Sequence, residues 1–125
     1  MDVTPLVPEG RQIVETYGDG GFRVSGVAYT TPIIVFPEHC LSWPEGDIDL
    51  LSIELLDPVF AAEEVPEILL LGCGETTVFM SPLLRAKIRE RGPVVDVMNT
   101  GAACRTYNVL MTEARRVAAA LLPVA

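Results

Sequence analysis

The chain has 125 residues, a length for one domain and too short for two ordinary ones. Half of it is hydrophobic and the mean hydropathy is +0.37, which supports a filled core and excludes general disorder, while no apolar run approaches the roughly 20 residues of a membrane span. The net charge of −8 disfavours a phosphate backbone as partner, so nucleic acid is excluded as the default ligand.

Met1 to Gly10 carries two prolines and no periodicity and reads as an extended arm, leaving 11–125 as a single domain. The arm has no positive region followed by an apolar core, so no signal peptide is expected and the chain reads as cytoplasmic. Arg11 to Tyr17 reads as a strand, Gly18-Asp19-Gly20-Gly21 as a turn with an Asp-Gly signal, and Phe22 to Tyr29 as a second strand with Gly26 as a bulge point. Ile33 to Phe36 reads as a third strand that Pro37 ends, which makes the first third an antiparallel meander. Glu38 to Gly46 reads as irregular and carries His39 and Trp43. Ile48 to Ala62 reads as one or two short helical turns interrupted by Pro58.

The pattern then changes. Glu67 to Leu71 is a short strand; Ser81-Pro82 fits an N-cap followed by proline; Leu83 to Arg91 is a helix with Leu84 and Ile88 inward; Gly92-Pro93 stops it; Val94 to Met98 is a strand. Strand, helix and strand at this spacing form a βαβ unit with parallel strands. After Asn99-Thr100-Gly101 the pattern reads as helical to near Leu122, with Tyr107, Leu110, Met111, Ala114, Ala118 and Leu121 as its apolar stripe.

Ligands of a parallel pair favour the carboxyl ends of the strands, here Gly72-Cys73-Gly74-Glu75-Thr76 and Asn99-Thr100-Gly101. If the strands are neighbours, these loops face each other. Thr100 then caps the last helix, its free N–H groups suit an anion, Arg105 adds a charged donor one turn in, and Asn108 stands at the rim. The candidate ligand-binding set is Gly72, Gly74, Glu75, Thr100, Arg105 and Asn108. The bland alternative is that the glycines permit turns, Thr100 only caps, and Arg105 pairs locally.

Other chemistries are weaker. Gly72-Cys73-Gly74 lacks the third glycine of a dinucleotide fingerprint, since position 77 is Thr. The three cysteines, Cys40, Cys73 and Cys104, are odd in number and widely spaced, which argues against a disulfide framework. Cys73 and Cys104 follow the two parallel strands and read either as thiols activated by the helix end and Arg105, or as small buried packing residues. Neither a metal-ligand spacing nor a Ser-His-Asp arrangement stands around His39. Residues 1–80 carry −12 and residues 81–125 carry +4, so a basic C-terminal face meeting an acidic partner is one reading and a solvated helix surface the other.

Glu67-Ile-Leu-Leu-Leu-Gly-Cys-Gly-Glu75, Val97-Met-Asn-Thr-Gly-Ala-Ala-Cys-Arg-Thr-Tyr-Asn-Val-Leu110 and Glu113-Ala-Arg-Arg-Val-Ala-Ala-Ala-Leu121 resemble a family of domains found in bacteria, archaea and mitochondria. It includes the mitochondrial complex I assembly factor and an adipogenesis-associated Mth-type relative. Tyr17-Gly18, Phe22 to Gly26 and Val35-Phe36-Pro37 also fit, so the likeness runs from about residue 11 to the end, with Thr100 to Asn108 its most specific part. It implies an α/β fold: a single three-layer domain with a mixed central sheet, flanking helices and a smaller antiparallel β layer. It implies no established activity and no cofactor, and carries over no catalytic residues. Cys73 departs from the threonine or other small residue expected in relatives. The function this implies is a non-catalytic binding or assembly factor, linked through the family to respiratory complexes, with a protein partner. The alternative is a small-molecule or anion-binding protein or enzyme with its pocket at the strand-end loops.

Overall fold

The computed structural model describes residues 10–43, 56–76 and 80–125. Its first three strands, β1 (Val14–Gly18), β2 (Gly21–Val24) and β3 (Val27–Tyr29), form a small antiparallel sheet in that order. Both of its hairpins use two-residue loops with positive φ at each position: Asp19 and Gly20 at 52° and 77°, Ser25 and Gly26 at 44° and 86°. Such loops match the strand twist and reverse the chain at once. The stretch 22–29, expected to be one bulged strand, is therefore two strands, because Ser25-Gly26 is a full turn.

β4 (Ile33–Val35), expected to complete the meander, leaves it for the larger sheet. All three of its residues are fully buried, so it has no solvent face to offer a small outer sheet. Next come β5 (Cys40–Ser42), inside the stretch expected to be irregular, and α1 (Asp57–Phe60), where Pro58 begins the helical turn instead of interrupting it. The rest of the expected helical turns, 48–55, lies outside the described residues.

β6 (Ile68–Gly72), α2 (Pro82–Glu90) and β7 (Val94–Met98) follow the expected order, with the Ser81 hydroxyl accepting from the Leu84 N–H at 3.1 Å. α3 (Thr100–Thr112) then ends ten residues before the expected point, and β8 (Val117–Leu121) takes the place of its last turns. The helix closes where Ala114 adopts a φ of 62°. The Arg115 N–H bonds to the Leu110 carbonyl and the Ala114 N–H to that of Met111, both at 3.0 Å, a Schellman closure.

The five-stranded sheet has the order β5-β4-β8-β6-β7; β4 is antiparallel to β5 and β8, and β6 is parallel to β7 and β8. β8 is central and buried on both faces. Val117, Ala119 and Leu121 join the core beneath α3 and the small sheet, with Val14, Phe22, Val24, Tyr107 and Met111. Ala118 and Ala120 join the core beneath α1 and α2, with Val59, Ile88 and Val95. The result is three layers: small sheet plus α3, mixed sheet, and α1 plus α2.

Candidate functional site

β6 and β7 are hydrogen-bonded neighbours, so their carboxyl-end loops do meet. The join is a knot centred on Thr100. Its N–H donates to the Gly74 carbonyl at 2.8 Å, and its hydroxyl accepts from the Gly74 N–H at 2.9 Å and donates to the Leu122 carbonyl at 2.7 Å. Thr100 is fully buried. A Cβ on Gly72 would stand 2.9 Å from a Leu121 methyl and 3.1 Å from the Thr100 Cα, so glycine is what lets β6, β8 and the start of α3 converge. Gly74, at a φ of 89°, makes the turn that presents both of its backbone groups to Thr100.

Asn99, not Thr100, caps α3: its side-chain oxygen accepts from the Ala102 N–H at 2.8 Å. Thr100 is already helical and its side chain points into the knot. With the Ala103 N–H bonded to the Asn99 carbonyl, Gly101 is the first-turn residue whose N–H has no partner among the described residues.

Outside the knot lies an open cleft of about 290 Å³, bordered by Tyr17, Gly74, Glu75, Asn99, Gly101 and Arg105. The Arg105 guanidinium donates to the Tyr17 hydroxyl at 2.9 Å, across the gap between α3 and the end of β1. Tyr17 approaches so closely that a Cβ on Gly101 would sit 2.6 Å from its oxygen. Of the six residues chosen from sequence, the cleft gathers Gly74, Glu75 and Arg105, while Gly72 and Thr100 lie beneath it. Asn108 is elsewhere, holding β1 to α3: its side-chain oxygen accepts from the Val14 N–H at 2.9 Å and its NH₂ donates to the Val14 carbonyl at 2.8 Å. One residue before it, the Tyr107 hydroxyl donates to the Gln12 carbonyl at 2.9 Å.

Asn99 carried a readable signal, since Asn ahead of a helical pattern is a favoured cap. Tyr17 carried none, because only the packing of the small sheet on α3 brings it to Gly101.

Of the two readings of Cys104, its burial in the core beneath α3 fits the packing residue and not the activated thiol. Burial pushes the Cys104 thiol up to about 12, against the weaker opposing pull of Arg105. Burial also raises Cys40, which bonds to Tyr29. His39 stacks on Phe36 with ring centroids 4.4 Å apart. Among the described residues no group of three or more His, Cys, Asp and Glu side chains is placed to hold a metal, and no helix is long and apolar enough to cross a membrane. At the other end of the sheet, Glu67 receives Arg115 at 2.8 Å and Arg116 at 3.5 Å, and the Arg115 bond chiefly holds its carboxyl below the usual range.

Comparison with known proteins adds a family and named relatives. A family model described as "Protein of unknown function (DUF498/DUF598)" matches residues 14–122. The NADH dehydrogenase (ubiquinone) 1 alpha subcomplex assembly factor 3 of Xenopus tropicalis is 34% identical over 110 residues, 88% of this chain and 60% of that protein; the chain thus spans less than two thirds of that relative's length. A crystal structure of a Bordetella parapertussis protein superposes with a TM-score of 0.83 at 36% identity, covering 93% of this chain and 98% of that one. A protein described as an outer membrane protein from Bartonella henselae superposes with a TM-score of 0.82 at 34% identity and the same coverage.

Proposed function

The chain belongs to the family described as protein of unknown function (DUF498/DUF598), and from that premise we propose that it acts by binding a protein partner during assembly of a larger complex, with a respiratory complex as the candidate client. The observation that carries this reading is the 34% identity, over 88% of the chain, to a protein named as a complex I assembly factor. The polar residues of the most family-like stretch fit the same reading. Thr100, Tyr107 and Asn108 each spend their hydrogen-bonding groups on the protein's own backbone, so they build the scaffold and leave recognition to its surface. The test is affinity capture of the tagged full chain from its own host's membranes, native and cross-linked, with mass spectrometry. Specific enrichment of subunits of one membrane complex is the expected result; no enriched partner under either condition removes the proposal.

A second reading, binding of a small anion, is favoured by one arrangement: the Arg105 guanidinium, the Tyr17 hydroxyl and the Gly101 N–H, which has no partner among the described residues, border one cleft at the start of α3. Titration with inorganic phosphate, followed by amide NMR, checks it. Shifts confined to Gly101, Arg105 and their neighbours support it, and an unchanged spectrum at millimolar phosphate ends it.

A further inference from the structure

Among the described residues the larger sheet ends in β7, which has a hydrogen-bonded neighbour on one side only. Towards β6 it uses the backbone of alternate residues: the Val94 N–H bonds to the Glu67 carbonyl and the Met98 carbonyl accepts from the Cys73 N–H. The backbone groups of Val95 and Val97 therefore point away from the sheet. The Val95 carbonyl is taken by the Arg85 guanidinium at 2.7 Å. No described residue bonds to the N–H or carbonyl of Val97, which is half-buried.

The two faces beside this edge differ in chemistry. On the α2 face stand Arg85 and, one turn on, Arg89, whose guanidinium bonds to the Gly92 carbonyl at 2.9 Å. Neither arginine has a carboxylate partner among the described residues, in contrast to Arg11, Arg23, Arg115 and Arg116. On the other face α3 lies over β6 and β8. There β7 presents Val94, 52% exposed, then exposed Asp96 and half-buried Met98.

We propose that the edge of β7 is a docking site for an extended segment of a protein partner that alternates acidic and apolar residues. A strand added there pairs with Val97 and displaces Arg85 from the Val95 carbonyl, which then accepts from the incoming backbone. Alternate side chains of the added strand project to opposite faces. Those on the α2 face meet Arg85 and Arg89 and are acidic. Those on the α3 face meet Val94 and Met98 and are apolar, and Asp96 repels a carboxylate placed there, so the charge pattern selects which residues face which way. Arg85 both guards the unpaired edge against indiscriminate strand pairing and supplies the charge that admits the correct segment.

This surface rests on the partner-binding reading above and gives it a location. The test uses the ¹⁵N-labelled full chain and two blocked synthetic hexapeptides, one alternating Glu and Val and one alternating Lys and Val. With saturating Glu-Val peptide, the Val95 and Val97 amides are expected to exchange about tenfold more slowly, with little change from the Lys-Val peptide. Arg85→Glu, at an exposed position, is expected to reverse that preference; Arg85→Gln, with wild-type thermal stability, is expected to weaken the Glu-Val effect. Absence of protection at both amides, equal protection by both peptides, or protection that rises with protein concentration in the absence of peptide would each overturn the proposal, the last by assigning the edge to a second copy. Such a failure leaves the partner-binding reading standing, since that reading falls only on the affinity capture.

Discussion

Two polar residues of α3, Thr100 and Arg105, obey opposite rules. At Thr100 both the backbone N–H and the hydroxyl are turned inward and matched, and the residue has no exposed surface. Around Arg105, five residues on, the guanidinium is exposed and its bond to Tyr17 lies at the rim of an open cleft. A single motif thus contains a structural half and a surface half, and polarity alone does not tell them apart; what each group bonds to does. The sharpest way to break the comparison is Thr100→Val, which keeps the shape and deletes the hydroxyl. The Gly74 N–H then loses its acceptor and the Leu122 carbonyl its donor, at a cost of about 3 kcal/mol. Urea denaturation measures this; a loss below about 1 kcal/mol means that the knot is not what joins the corner.

Asn108 extends the structural half. Its amide makes two hydrogen bonds to Val14, which takes β1 as an edge strand and gives it a side-chain partner. Asn108→Ala removes both bonds from a residue only 5% exposed, and a loss of about 2 kcal/mol is expected. Hydrogen exchange separates this from a general weakening: the Val14 amide should open before those of β6 and β8.

The sequence shows why one half of the fold was readable and the other was not. Ser81-Pro82, Gly92-Pro93 and Asp19-Gly20 are local devices whose geometry is dictated within four residues, and the turns and α2 fall where they indicate. The parallel pairing of β6 with β7 followed from their spacing. The end of α3 had no such device. Ala114 sits at the left-handed position where glycine is usual, and Val117-Ala-Ala-Ala-Leu121 is rich in the best helix former. Only burial on both faces, between β4 and β6, makes that run a strand, and burial is a tertiary fact. The site shows the same division: the meeting of the two strand-end loops was legible, but the inward turn of Thr100 and the arrival of Tyr17 were not. Ala114→Gly turns this into a measurement. Relief of the left-handed strain is expected to stabilise the protein by about 1 kcal/mol, a gain read as a raised urea midpoint.

The smallest expected effect tests the surface half. Arg105→Gln removes the charge from the cleft and retains a donor that can reach towards the Tyr17 hydroxyl. Neither Arg105 nor Tyr17 is buried, so the energy of their bond is shared with water and the expected stability change is within about 0.5 kcal/mol. The same substitution made in the Thr100→Val background should add its small effect independently, because the hydrogen bonds of Arg105 and those of Thr100 have no partner in common. Coupling above about 1 kcal/mol in that double-mutant cycle would mean that rim and knot act as one network. The exposed arginine would then belong to the scaffold as firmly as the buried threonine beneath it, and the separation of α3 into two halves would fail.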